Sequence, residues 1–141
     1  MFVENYRDYF FLSGFNSLLG TDVDFIPVNG ITEASSPEDL VRVLKSIERN
    51  PVLLMDEGIH DASVRDMLES NGVKTYTVSE LMEGKKSVTD LFSPEDFARL
   101  SPADASFDRA SCISYTIPKD RDISDETKDN FRKVLDYISL G

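Results

Sequence analysis

The run Pro51-Val52-Leu53-Leu54-Met55 restricts the fold more than any other stretch of the chain. It is apolar throughout and stops abruptly at Asp56-Glu57-Gly58. A run this short reads as a strand rather than a helix, and a strand without polar alternation has both faces covered. That describes the central strand of a parallel sheet, which requires helices above and below it.

The flanking sequence supplies them. Phe2-Val3 is a short apolar start, an edge or first strand. Tyr6 to Leu19 follows as a helix with Phe11, Phe15, Leu18 and Leu19 on one face and Gly20 as its stop. Asp24-Phe25-Ile26-Pro27-Val28 is a second strand, closed by the turn signal Asn29-Gly30. Ser36-Pro37-Glu38-Asp39 starts a helix with a cap, a proline at the first position and acids for the dipole. Leu40, Val43, Leu44 and Ile47 continue it at helical spacing. Beyond the apolar strand, a helix from about Asp61 to Ser70 turns Val64, Met67 and Leu68 inward and ends at Asn71-Gly72. Val73 to Val78 alternates as a more exposed strand would. Ser93-Pro94-Glu95-Asp96 then repeats the earlier helix start, as reused capping chemistry rather than an internal repeat. Ile113 to Ile117 reads as a short strand ended by Pro118, and a last helix runs from a cap at Ser124 through Phe131, Val134, Leu135 and Ile138.

This order predicts an α/β fold: a Rossmann-like parallel sheet of about four strands with helices on both faces, plus a small C-terminal extension of helix and strand. No linker divides the chain, so 1–141 reads as a single domain. Its core covers about 1–100 and its extension about 101–141, with 102–109 as the irregular segment.

Charge narrows what such a domain can bind. Acids outnumber bases by 26 to 15, for a net charge of −11. No global field draws the chain onto nucleic acid or an anionic membrane, so nucleic-acid contact needs a local basic patch or bound metal cations. No apolar run approaches the ~20 residues of a membrane span, and Glu4 and Asp8 interrupt any signal-peptide pattern. Cys112 is the single cysteine and His60 the single histidine, which removes disulfides and Cys/His zinc clusters. No nucleophile motif stands beside His60. The glycines are isolated, so there is no glycine-rich phosphate loop. A reducing compartment, most simply the cytoplasm, with no membrane partner, is the expectation.

In a parallel sheet the site lies at the carboxyl ends of the strands. Glu4 follows the first strand, with Asp8 one helical turn later. Asp56 and Glu57 follow the third, with Asp61 nearby; Ser79, Glu80 and later Asp90 follow the fourth. Glu4 and Asp56 should emerge on one edge, where Asp90 could join them. Carboxylates gathered there are hard oxygen ligands suited to Mg²⁺ or Mn²⁺, and such a metal serves phosphoryl chemistry. The competing reading is that these acids are solvated or cap the next helix.

The order of these motifs resembles the TOPRIM domain of OLD-family (overcoming lysogenization defect) nucleases. There the first strand ends in Val-Glu-Gly-x-x-Asp; here the stretch is Val3-Glu4-Asn5-Tyr6-Arg7-Asp8. An aromatic-rich helix follows, as in Tyr9-Phe10-Phe11-Leu12, then a strand like Asp24 to Gly30. Leu53-Leu54-Met55-Asp56-Glu57-Gly58 occupies the place of the family's Asp-x-Asp strand, and Thr89-Asp90-Leu91-Phe92 resembles its later Glu-Asp-Leu-Phe element. The resemblance covers about 1–100, and more weakly Ile113-Ser114-Tyr115 and 124–138. It implies a divalent-metal nuclease site on nucleic acid. Glu4 would be the catalytic-metal glutamate, Asp56 the first aspartate of the pair, Asp90 the later acidic ligand, and Lys119 the basic residue near the scissile phosphate. Asp8, Glu57 and Asp61 are further ligand candidates. Asn5 replaces the motif's glycine, and Gly58 stands where the second aspartate belongs.

Two alternatives stay open. The broken aspartate pair and the acidic charge fit an inactive TOPRIM-like protein that binds another protein, such as an ATPase or a component of phage defence or anti-defence. The aromatics near Tyr6 and Tyr9 are then the contact. A receiver-like or flavodoxin-like binding module is the other, with Asp56 as phospho-acceptor, although Glu4 is a single acid where a receiver needs a pair.

Overall fold

The computed structural model describes residues 1–4, 6–28, 36–55, 62–100, 116–119 and 121–140. Asn5, the Asn29-Gly30 turn, the Asp56-Glu57-Gly58 stop, His60, Asp61, the segment 102–109, Cys112 and Ile113-Ser114-Tyr115 lie outside the described residues.

Four strands form the sheet: β1 (Phe2–Val3), β2 (Ile26–Pro27), β3 (Val52–Met55) and β4 (Lys74–Thr77). Their order is β2-β1-β3-β4 and every pairing is parallel. β1, the first strand in sequence, is therefore central, not an edge. The apolar run is the other central strand, as its lack of alternation requires.

Six helices accompany the sheet among the described residues: α1 (Tyr6–Leu19), α2 (Pro37–Ile47), α3 (Ala62–Ser70), α4 (Val78–Leu81), α5 (Pro94–Leu100) and α6 (Asp125–Leu140). The period of the strands sorts the core into two layers. Phe2 and Leu53 are register partners, as are Val3 and Leu54. Val3 and Leu54 pack with Phe11, Leu12 and Phe15 of α1 and with Phe131, Val134 and Leu135 of α6. Phe2, Leu53 and Met55 pack on the other face with Leu40 and Leu44 of α2 and Leu68 of α3. Phe15 stacks on Phe131 at 3.8 Å between centroids, and Phe92 meets Phe11, Phe15 and Phe131 edge-on. The C-terminal helix is thus one wall of the main core.

Two elements differ from expectation. β2 is confined to Ile26–Pro27, although Val28 still donates its N–H to the Val3 carbonyl at 2.8 Å. Proline on this edge strand has no N–H to extend the ladder. Ile117, expected to end a strand, lies instead in a 3₁₀ turn, Ile117–Lys119. Its fully buried side chain sits against Gly14 of α1, where an added Cβ would come within 3.1 Å. Docking on α1 therefore takes the place of strand pairing for the described part of that segment.

Candidate functional site

The strand order reverses between β1 and β3, since the chain moves from β1 outward to β2 and from β3 outward to β4. Outside the carboxyl ends of these two strands lies the crevice where doubly wound sheets hold ligands. Glu4 leaves β1 at this point and is only 5% exposed. Asp8, in the first turn of α1, is 6% exposed. It falls three and four residues before the buried Phe11 and Leu12, so it occupies the core-facing stripe of the helix.

Both carboxylates line one small cavity of about 10 Å³, with Leu54, Met55, Val78, Lys86, Ser87 and Val88. That volume is about what one water molecule or small ion needs. Arg7 Nε lies 3.5 Å from Asp8 Oδ1. Two buried carboxylates beside Arg7, with Lys86 in the same lining, make a space in which positive charge is favoured.

The structure brings together only part of the expected acidic set. Asp90 is exposed and faces another groove; its Oδ2 accepts the backbone N–H groups of Lys86 at 3.0 Å and Ser87 at 3.3 Å. It thereby completes a capping box on a 3₁₀ turn, Val88–Leu91. Its carboxylate is used by local backbone, at a helical start too short to carry a sequence period. Glu80, past β4, is also committed to structure, paired with Arg65 of α3 and accepting the Thr77 hydroxyl at 3.0 Å. The bond from Arg65 holds the Glu80 carboxyl below its ordinary range against the opposing effect of burial, and the bond from Thr77 adds to the lowering. Lys119 is exposed in its 3₁₀ turn and is absent from the lining of the Glu4 cavity. Asp56 and Glu57 follow Met55 in sequence, and with Asp61 they lie outside the described residues.

Among the described residues no three His, Cys, Asp or Glu side chains gather as a metal-holding group. Glu4 and Asp8 are two such side chains. Mg²⁺ commonly binds through one or two carboxylates, and two are present here. Lys86 and Ser87 went unnoticed in the sequence. They arrive on the loop between α4 and the 3₁₀ turn, and no local pattern marks that return to the crevice.

Among the described residues no helix is long and apolar enough to cross a membrane. No protein-family model matches the chain, and no curated protein or solved structure matches it.

Proposed function

We propose that this chain is a TOPRIM-like domain of the OLD type, whose Glu4 site takes Mg²⁺ or Mn²⁺ and acts on phosphodiester bonds of nucleic acid. The observation that carries this reading is the burial of Glu4 and Asp8 in one cavity at the carboxyl end of a central parallel strand. Glu4 and Asp8 would hold the ion, with Asp56 as the next acid in sequence beyond β3. A metal bound there supplies positive charge against the charge that develops in phosphoryl transfer. Leu54, Val78 and Val88 wall the cavity and keep water from screening that charge.

Thermal unfolding and a nicking assay, each with and without Mn²⁺, test the reading. The wild-type protein should melt several degrees higher with Mn²⁺, by preferential binding to the folded state, and should nick nucleic acid. Glu4→Gln should lose both effects. A wild-type protein that neither gains stability nor nicks would overturn the proposal.

A second reading, an inactive domain that works by protein binding, is favoured by the aromatic group on the first turns of α1. Tyr6 is 37% exposed and stacks on Phe10, which Tyr9 meets edge-on. Recovery of a stoichiometric partner by the wild type but not by Tyr6→Ser would decide for it; equal recovery by both would count against it.

A further inference from the structure

Beside the Glu4 cavity, and sharing Lys86 with it, lies an open groove of about 540 Å³. This is a ligand-sized space. It is formed by the chain from Gly84 to Phe97 and by Glu126 of α6. One wall is aromatic. Phe97 is 39% exposed, and its ring lies 6.4 Å from that of the buried Phe92 at 60°. A ring open to solvent and backed by the core is a rigid stacking platform, which nucleobases use regardless of sequence.

The lining also carries Lys85 and Lys86, just after Gly84, whose φ of +83° turns the chain there. Neither ammonium makes an ion pair among the described residues. Of the two acids in the groove, Asp90 directs an oxygen at the backbone of the lysine turn; Glu126 is the other, and Glu4 and Asp8 face Lys86 only from the neighbouring cavity. In a chain of net charge −11, two adjacent lysines give an anion a local foothold that the overall field denies.

We propose that this groove binds one nucleotide unit, with its phosphate on Lys85 and Lys86 and its base on Phe97. Lys86, which lines both spaces, would bring the adjoining phosphodiester toward Glu4. The inference deepens the phosphodiester reading and rests on it for what happens at Glu4; the binding itself needs neither Glu4 nor a metal.

The test is an NMR titration of the full chain in EDTA, with deoxythymidine 5′-monophosphate as the probe. Deoxythymidine and inorganic phosphate serve as separate arms. The monophosphate should give saturable shifts at Gly84, Lys85, Lys86 and Phe97, and each half-ligand should bind about tenfold more weakly. Phe97→Leu, which keeps an apolar side chain without a π face, and the double variant Lys85→Gln/Lys86→Gln should each weaken the monophosphate about tenfold, with Arg42→Gln, on α2 and outside the groove lining, unchanged. Phosphate binding as tightly as the nucleotide, or no saturable shift in the groove, overturns the proposal. Nucleotide binding without Mn²⁺-dependent nicking would sink the phosphodiester reading and leave the groove standing. Nicking without nucleotide binding would do the reverse.

Discussion

The tetrapeptide Ser-Pro-Glu-Asp occurs twice, and its two copies do the same local job with different consequences. At Ser36–Asp39 the serine hydroxyl accepts the Asp39 N–H at 3.3 Å and starts α2. Asp39 then pairs with Arg42 at 2.7 Å, with both side chains largely in solvent. At Ser93–Asp96 the serine hydroxyl likewise accepts the Asp96 N–H, at 3.2 Å. Here, however, Ser93 is 2% exposed and Asp96 3%. Asp96 Oδ2 accepts the hydroxyls of Thr127 at 2.6 Å and Ser124 at 2.7 Å and the Ser124 N–H at 3.0 Å. Ser93 donates its own N–H to Thr127 Oγ1 at 2.8 Å. The second copy therefore clasps the start of α5 to the start of α6, the helix that walls the main core. Capping is written in the four residues; burial of the cap is decided by what the rest of the chain packs against it.

The largest test of this contrast is Asp96→Ala against Asp39→Ala. Removing Asp96 strands three donors from the second helix start in a mostly buried place, where bonds to a charged acceptor are strongest. The expected cost is about 3–4 kcal/mol. The exposed pair should cost about 0.5 kcal/mol or less. Urea unfolding of the two variants reads the difference directly. Equal costs would mean that the clasp contributes no more than a surface cap.

The same contrast has a pH signature. Burial alone would raise the Asp96 carboxyl, but bonds from Thr127, Ser124 and Ser93 outweigh it and bring it from the ordinary 3.8 down to about 2. A depressed folded value contributes stability that is fully present above the unfolded value and is lost as pH falls toward the folded one. The window is therefore about pH 4 to pH 2, and the amount is about 2 kcal/mol. Asp96→Asn keeps the shape without the charge, so its gap from the wild type should narrow by that amount across the window. A gap that stays constant with pH would remove the ionised carboxylate from the account.

The serines give a smaller comparison. Ser93→Ala removes the acceptor of the Asp96 N–H and the contact with the Ser124 hydroxyl at 3.3 Å, both inside the clasp. About 1–2 kcal/mol is expected, measured by the shift in urea midpoint. Ser36→Ala should stay at the low end of cap losses, about 0.5–1 kcal/mol. Reversal of this order would break the link between burial and the strength of the second cap.

How far the sequence spoke follows from where each signal resides. The bounds of α1 at Tyr6–Leu19 and of α6 after Ser124 were legible because periodicity, caps and the Gly20 stop are local. The covered central strand was legible because its five apolar residues admit little else. Short elements were not: α4 and the 3₁₀ turns span four residues or fewer, too few for a period to register. Glu4 follows a strand and Asp8 stands one helical turn later in the sequence as in the fold, and both are buried. Asp90 caps a turn instead of lining the Glu4 cavity, and a carboxylate three residues after a serine serves as a cap as readily as it binds a metal. Lys86 and Ser87 reach the crevice through tertiary packing, which carries no sequence period.

The smallest expected effect lies at the exposed copy and fixes the lower end of the comparison. Arg42 reaches Asp39 within a single helix, three residues on, with 76% of its own side chain exposed. Such a pair gains little in water, costs side-chain entropy to hold, and is screened by salt. Arg42→Ala should therefore lower stability by only about 0.3–0.5 kcal/mol at low salt and by less than that near 1 M. Unfolding at the two salt concentrations measures it. A salt-insensitive loss would point to packing of the arginine stem rather than to charge, and a loss as large as that of Ser93→Ala would mean that solvent does not separate the two helix starts.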